Sequence, residues 1–447
     1  MKLTGTGLQG SFVAKQARAS SLSQRWADKT APVWYTVPMK APSNEPTHAP
    51  QADRWSREVR SRVGESGWQA TISIQGGGAK GAWEAGVLGG LLGGDSDIGI
   101  NAIWGTSAGA INAYWASTTP RETLGSQLLR CWTRVAYRAL LVLVLGLASF
   151  ITTLLLCWPA ILITLLAVGI WFGVSRVREG RLPGLLPVRF TAQFLPRPRV
   201  RCEPHIRTYF CAADVSLSDC PETWSFYTLG IFQVQPGSHE AEQIMPTASP
   251  PIPARIAAMT SAAVPLFSKS LRVGQHLFLD GGLEANLPAG HLTSLGADGG
   301  TCAVIIIPQP ISALSSDNHI SYRTLRFLTD FSSFVKRAQD AGARTSVYAS
   351  IAFQPVILVS PPKQLKSGSA CGFLWPRWLR QDHQDGLKQG SELRQALAAF
   401  AQGDDDALAP YLLQCQELPE LRPLPRPGWF LSLWTNPEWR RQRTQAD

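Results

Sequence analysis

Thr71-Ile72-Ser73-Ile74-Gln75-Gly76-Gly77-Gly78-Ala79-Lys80-Gly81, followed by Ala82-Trp83-Glu84-Ala85-Gly86-Val87-Leu88, is the stretch that decides the fold. Its first four residues alternate polar and apolar side chains, as a short strand does. The glycines then break the pattern, and the residues after them suit a helix. A glycine loop between a strand and a helix can turn several backbone N–H groups into one small space. The positive end of the following helix adds to that field, so the loop is built to hold an anion or a developing negative charge.

A second strand, Asn101-Ala102-Ile103-Trp104, leads into Gly105-Thr106-Ser107-Ala108-Gly109 and then the helix-compatible Ala110-Ile111-Asn112-Ala113-Tyr114-Trp115. This is a G-x-S-x-G elbow between a strand and a helix, where small neighbours let the chain turn sharply and expose the serine hydroxyl. A dinucleotide-binding turn is the competing reading of the first loop. It wants an acidic residue at the end of a second strand about 20 residues on. Asp95 and Asp97 stand near that distance, but within the loop-like Gly93-Gly94-Asp95-Ser96-Asp97. An oxyanion loop at Gly76, Gly77, Gly78 and Gly81 accounts for both motifs with one reaction.

Far downstream, Leu277-Phe278-Leu279 ends in Asp280-Gly281-Gly282, followed by Asn286 and Pro288. A carboxylate at a strand end lies where open α/β sheets gather their active groups. In this order the three motifs resemble those of patatin-like phospholipases, and the run Ala257-Ala258-Met259-Thr260-Ser261-Ala262-Ala263-Val264-Pro265-Leu266-Phe267 is similar to that family too. The resemblance covers roughly Trp68–Ala136 and His205–Pro308. It implies a three-layer α/β hydrolase domain with a central, mainly parallel sheet, and a Ser107–Asp280 dyad with Ser107 as nucleophile and Asp280 as general base. The oxyanion hole would be Gly76, Gly77, Gly78 and Gly81, the elbow glycines Gly105 and Gly109, and the aspartate motif would include Gly281 and Gly282. For Asp280 to serve as a base, partial desolvation must raise its pKa. His276 and His291 lie close to it in sequence, so a Ser-His-Asp triad stays open. Lys80 reads equally as a solvated residue at the helix start or as a group assisting an anionic head group.

The chain has 447 residues and a formal net charge of +10, which suits an anionic membrane surface or nucleic acid. Its basic stretch Val188–Arg207, with Arg189, Arg197, Arg199, Arg201 and Arg207, lacks regular aromatic interleaving, so nucleic acid is not the expected partner. Eight cysteines without C-x-x-C spacing suggest neither a zinc site nor a disulfide framework. No cofactor or metal is expected, calcium included, for want of a carboxylate-rich loop beside the motifs.

Ala139 to Ser175 is a run of 37 residues without a charge. As one straight helix it would be about 55 Å long, so Pro159 is expected to break it into a hydrophobic helical hairpin. Arg134 and Arg138 precede the run, and Arg176, Arg178 and Arg181 follow it, which favours both ends on the cytoplasmic side of a membrane. A buried helical pair in a soluble core is the alternative.

The expected organisation is a disordered or loosely attached leader over 1–67, with a transit peptide as the alternative although no amphipathic helix is evident, and a catalytic domain over 68–136 and 205–310. A membrane hairpin insert and basic linker occupy 137–204, and a mainly helical extension 311–447, whose Trp429–Arg441 mixes tryptophan with arginine. The expected activity is that of a membrane serine esterase hydrolysing acyl esters of lipids. The same motifs admit a lysophospholipase, a neutral-lipid lipase, an acyltransferase, or a membrane-anchored non-catalytic adaptor. Oligomeric state is not written in the sequence.

Overall fold

The computed structural model describes residues 49–156, 166–168, 184–195, 206–214, 228–235, 237–245, 250–264, 266–283, 286–287, 300–310, 356–368 and 372–411. Its centre is a ten-stranded sheet. Five strands run parallel in the order β12 (Val356–Val359), β11 (Cys302–Ile306), β1 (Gln69–Ile74), β2 (Gly99–Thr106) and β4 (Arg207–Asp214). The sheet continues antiparallel through β5 (Thr228–Val234), β6 (Glu240–Met245) and β7 (Ile252–Pro253). The apolar run Cys302–Ile306 is buried along its whole length, as a central parallel strand covered on both faces must be. With its helices, the sheet fits a three-layer α/β fold.

One irregularity sets the position of the site. Parallel pairing of β2 with β4 ends at Thr106 opposite Cys211. From Ala212 onward that edge of β4 is taken by β10 (His276–Asp280), which runs antiparallel and places Asp280 opposite Ala212. Two strands thus meet end to end along one edge of β4. Their meeting point joins Ser107 to Asp280, residues 173 apart in the chain.

Helix α2 (Gly81–Leu92) leaves the glycine loop and is buried at every residue. It crosses α7 (Pro376–Ala401) through paired glycines. A Cβ added at Gly86 would lie 2.1 Å from the His383 carbonyl oxygen, and one at Gly390 would lie 2.1 Å from that of Val87. Only glycine admits backbones this close. The α7 helix and β12, both beyond residue 310, pack against or pair with elements of the expected catalytic domain. The four-residue apolar run of β12 carries too little periodicity to announce a strand.

Ala49–Ser66 is a helix, α1, whose Val59 and Val63 join the core while Arg60 lies over Phe400 and pairs with Asp405. In sequence, two valines amid charged residues gave little sign of that packing. Residues 1–48 lie outside the described residues, as do Ser321–Ser346 and the Trp429–Arg441 stretch.

After the elbow helix α3 (Ala108–Thr118), helix α4 runs unbroken from Leu124 to Leu156. Its first half buries Leu124, Leu128, Cys131, Trp132 and Ala136 at helical spacing against the core. Its second half leaves the protein. Leu141 and every side chain from 144 to 152 are exposed, Leu145 to 59% and Phe150 to 58%. Among the described residues no helix is long and apolar enough to cross a membrane. The uncharged part of α4 has 18 residues, about 27 Å of rise against a bilayer core of about 30 Å. Pro159 and most of the expected return arm lie outside the described residues.

The remaining described elements are short. They are β3 (Gly184–Leu186) pairing β8 (Leu266–Ser268), the helical turn α5 (Val188–Thr191), α6 (Ala254–Ser261), and β9 (Leu271–Val273) beside β10.

Candidate active site

Ser107 stands between β2 and α3 with φ 53° and ψ −121°, the one non-glycine residue at positive φ among the described residues. Such a conformation is strained and persists only where its surroundings enforce it. Here the enforcement is steric. A Cβ at Gly105 would meet the Gly109 carbonyl oxygen at 2.3 Å, and one at Gly109 would meet that of Ile74 at 2.5 Å. The backbone N–H of Ser107 donates to Ser261 Oγ at 2.9 Å, and the Ser261 hydroxyl in turn donates to the Cys211 carbonyl.

Ser107 Oγ donates to Asp280 Oδ2 at 2.9 Å. The other carboxylate oxygen, Oδ1, accepts the Gly282 N–H at 2.7 Å, and the Asp280 N–H donates to the Ala263 carbonyl at 3.1 Å. Gly281 sits so close to the Cys211 carbonyl oxygen that a side chain there would lie 2.0 Å from it. Burial pushes the Asp280 carboxyl up to about 6, with the Gly282 and Ser107 hydrogen bonds pulling the other way. A carboxylate held near that value is a usable base at neutral pH.

The glycine loop lies over this pair. Gly76 passes within contact of Ser107 Cβ and the Asn286 side chain, and its N–H donates to the Asn286 carbonyl at 2.9 Å. The Gly81 N–H turns back to the carbonyls of Gly78 and Ala79. These two amides of the expected oxyanion loop are therefore engaged with backbone carbonyls. Among the described residues, the amides of Gly77 and Gly78 have no protein acceptor, Gly78 with φ 58°. Nor has the amide of Ala108, at the first turn of α3 directly after Ser107. Three amides are thus without a protein acceptor among the described residues, two in the glycine loop and one at a helix N-terminus.

Beneath the loop is a buried polar chain that sequence reading missed. Glu84 Oε2 accepts from Asn112 Nδ2 at 2.9 Å, and Asn112 Oδ1 accepts from Trp132 Nε1 at 2.8 Å. Asn112 Nδ2 also donates to the Gly81 carbonyl at 2.9 Å. Burial raises the Glu84 carboxyl well above the ordinary range, against the pull of Asn112 and Lys80, so the neutral acid is favoured. Its Oε1 has no partner and lies 3.1 Å from where a Gly77 Cβ would be. The sequence signal was an asparagine in the middle of an apolar helix, a residue that burial forces to find partners.

Above the loop, the segment before α7 forms a cover. Asp382 accepts the N–H groups of Lys366 and Ser367, and Phe373 stacks on Trp132 with ring centroids 6.0 Å apart. Lys80 is half-buried beside Gly368, and desolvation lowers its pKa while Glu84 raises it. His276 belongs elsewhere: its Nδ1 is 2.6 Å from Asp214 Oδ2, so the triad reading finds no support from it, and His291 lies outside the described residues. Among the described residues, no cluster of three His, Cys, Asp or Glu side chains could hold a metal ion.

No curated protein matches the chain. The family model for patatin-like phospholipase matches residues 72–293, which takes in the glycine loop, the serine elbow and the Asp280 motif. At family level this supports lipid acyl hydrolysis, the cleavage of ester bonds. The geometry and the match converge, and residues 72–293 are a patatin-like phospholipase domain.

Proposed function

We propose that the protein is a membrane-associated serine esterase that hydrolyses acyl esters of lipids. The observation that carries this reading is the 2.9 Å hydrogen bond from Ser107 Oγ to a buried Asp280.

In the proposed reaction Ser107 Oγ attacks the acyl carbonyl carbon as its proton passes to Asp280. The tetrahedral oxyanion is held by the amides of Gly77, Gly78 and Ala108. Collapse breaks the ester C–O bond, and Asp280 returns the proton to the leaving alkoxide. Water then repeats the sequence on the acyl-serine, with Asp280 taking its proton, and releases the fatty acid and free Ser107. Glu84 takes no part in proton transfer; it braces the loop through Asn112. The exposed apolar half of α4 supports the membrane part of the proposal, since so much apolar surface facing water is unfavourable.

The test is fatty-acid release from mixed phospholipid vesicles, comparing wild type with Ser107→Ala and Asp280→Asn. Wild type should release acid and react with a fluorophosphonate at Ser107. Each folded variant should lose at least about a thousand-fold in rate. An inactive, unlabelled wild type would overturn the proposal.

A further inference from the structure

The root of the exposed α4 stem carries more than apolar surface. Along the chain, charge stops abruptly at Arg138: the 18 residues from there to the end of α4 are uncharged. In space, two segments remote in sequence meet the helix at that same step. From one side Arg380 of α7 donates to the Tyr137 hydroxyl at 3.2 Å. From the other, Arg138 donates to the Gln193 carbonyl at 3.3 Å, just after α5. The two segments bring exposed aromatic groups with them. Trp375 lies against Trp378 with centroids 5.3 Å apart, and Phe190 is exposed on α5.

The chemistry of this ring is one-sided. Residues 124–156, 184–195 and 372–380 contain no Asp or Glu, while they supply Arg130, Arg134, Arg138, Arg189, Arg377 and Arg380. Arginine guanidinium groups match phosphate, and tryptophan and tyrosine favour the boundary between head groups and acyl chains. A helix that is polar and buried below the ring and apolar and exposed above it has its charge step at the level where a bilayer has its own.

We propose that this arginine–aromatic collar is a head-group site that seats the root of the stem on an anionic phospholipid bilayer. Arg377, Arg380 and Arg138 engage lipid phosphates, and Trp375 and Trp378 lie at the head-group boundary. The inference rests on the membrane association proposed above and adds the lipid charge and the residues that read it. It also fixes a depth. Trp132, in contact with the Gly81 position, is six residues before Arg138 on α4, about 9 Å of helix rise. The glycine loop therefore lies about a head-group's length below the collar.

The test is flotation of the full-length protein with phosphatidylcholine vesicles, with and without phosphatidylglycerol, at low and high salt. Wild type should prefer the anionic vesicles, and salt should erode the preference. Neutralising one arginine should weaken anionic-vesicle binding about five-fold, so R377Q R380Q together should lose about thirty-fold. That variant should keep stem-driven binding to phosphatidylcholine and wild-type hydrolysis of a short soluble ester, which also shows that it is folded. A second pair, W375A W378A, should weaken binding to both vesicle types. If the arginine pair retains the full anionic preference, the collar is overturned while stem anchoring survives. If wild type floats with neither vesicle, or Leu145→Asp in the stem floats as wild type does, the membrane reading itself fails and takes the collar with it.

Discussion

Helix α2, Glu84 apart, and the outer half of α4 carry no charged side chain, yet α2 is buried at every residue while Leu141 and residues 144–152 of α4 are exposed. A helix without a polar stripe has to be surrounded. For α2 the protein supplies the surroundings: the core beneath, and α7 pressed against its backbone through Gly86, Gly90, Gly386 and Gly390. For the outer half of α4 the described protein leaves Leu141 and residues 144–152 exposed. The contrast teaches that apolarity alone does not assign a helix to a core or to lipid. The small residues do: α2 carries a G-x-x-x-G face that fits another helix, while the exposed half of α4 has one isolated glycine, Gly146, with nothing near it.

The comparison breaks first at the glycines. Gly86→Leu should cost more than about 4 kcal/mol, because the new side chain meets backbone at 2.1 Å and α7 cannot yield without leaving α2. Denaturant melts of the variant should show an unfolded or α7-detached protein, and a stable, active variant would remove the basis for treating α2 as protein-enclosed.

A smaller effect is expected at Asp280, with opposite signs for stability and activity. Its folded pKa of about 6 exceeds the ordinary 3.8, so the stability it contributes is complete below about pH 3.8 and is lost as pH rises to about 6. At pH 7 Asp280→Asn should therefore stabilise the fold by up to about 3 kcal/mol while abolishing hydrolysis. Wild-type activity should rise with pH as one proton leaves with a midpoint near 6, and then stay flat. An activity that falls across that range would exclude Asp280 as the base.

Glu84→Ala should cost about 1–3 kcal/mol and lower turnover more than substrate affinity, since it strands Asn112 beneath the oxyanion loop. Glu84→Gln, neutral like the protonated acid, should recover most of both. Equal behaviour of the two variants would show that the carboxyl group does not brace the loop.

The smallest effect sharpens the contrast most. Leu145→Asp should change the melting free energy by no more than about 0.5 kcal/mol, because the residue is exposed and touches no core. The same protein should nonetheless lose binding to lipid vesicles. A large loss of stability instead would mean that protein covers the stem after all.

How much of this was legible in the sequence follows from the distance over which each feature is encoded. The strand–glycine–helix unit, the elbow at Ser107 and the strand ending at Asp280 are each written within a few residues, because tight turns demand glycine locally. That the last two would meet depends on β10 displacing β2 along β4, a matter of register that no local pattern states. Ser261 was visible only as part of a family-like run, although its hydroxyl holds the Ser107 amide. The α2–α7 crossing was hidden because glycine four residues from glycine also suits a loop or a weak helix. The two valines of α1 and the four residues of β12 carry too few positions for a period to emerge.

The crossing of α2 by α7 has a consequence in time. Leu92 and Pro376 are separated by roughly 280 residues, which a ribosome adds in roughly 15–60 s. Until α7 emerges, the glycine face of α2 has no partner and the cover over the glycine loop has not been made. The apolar stem, complete at Leu156, is synthesised long before that. On the proposed function, translation thus delivers the stem ahead of the cover over the glycine loop, so a nascent chain would meet its surface before it could act on it.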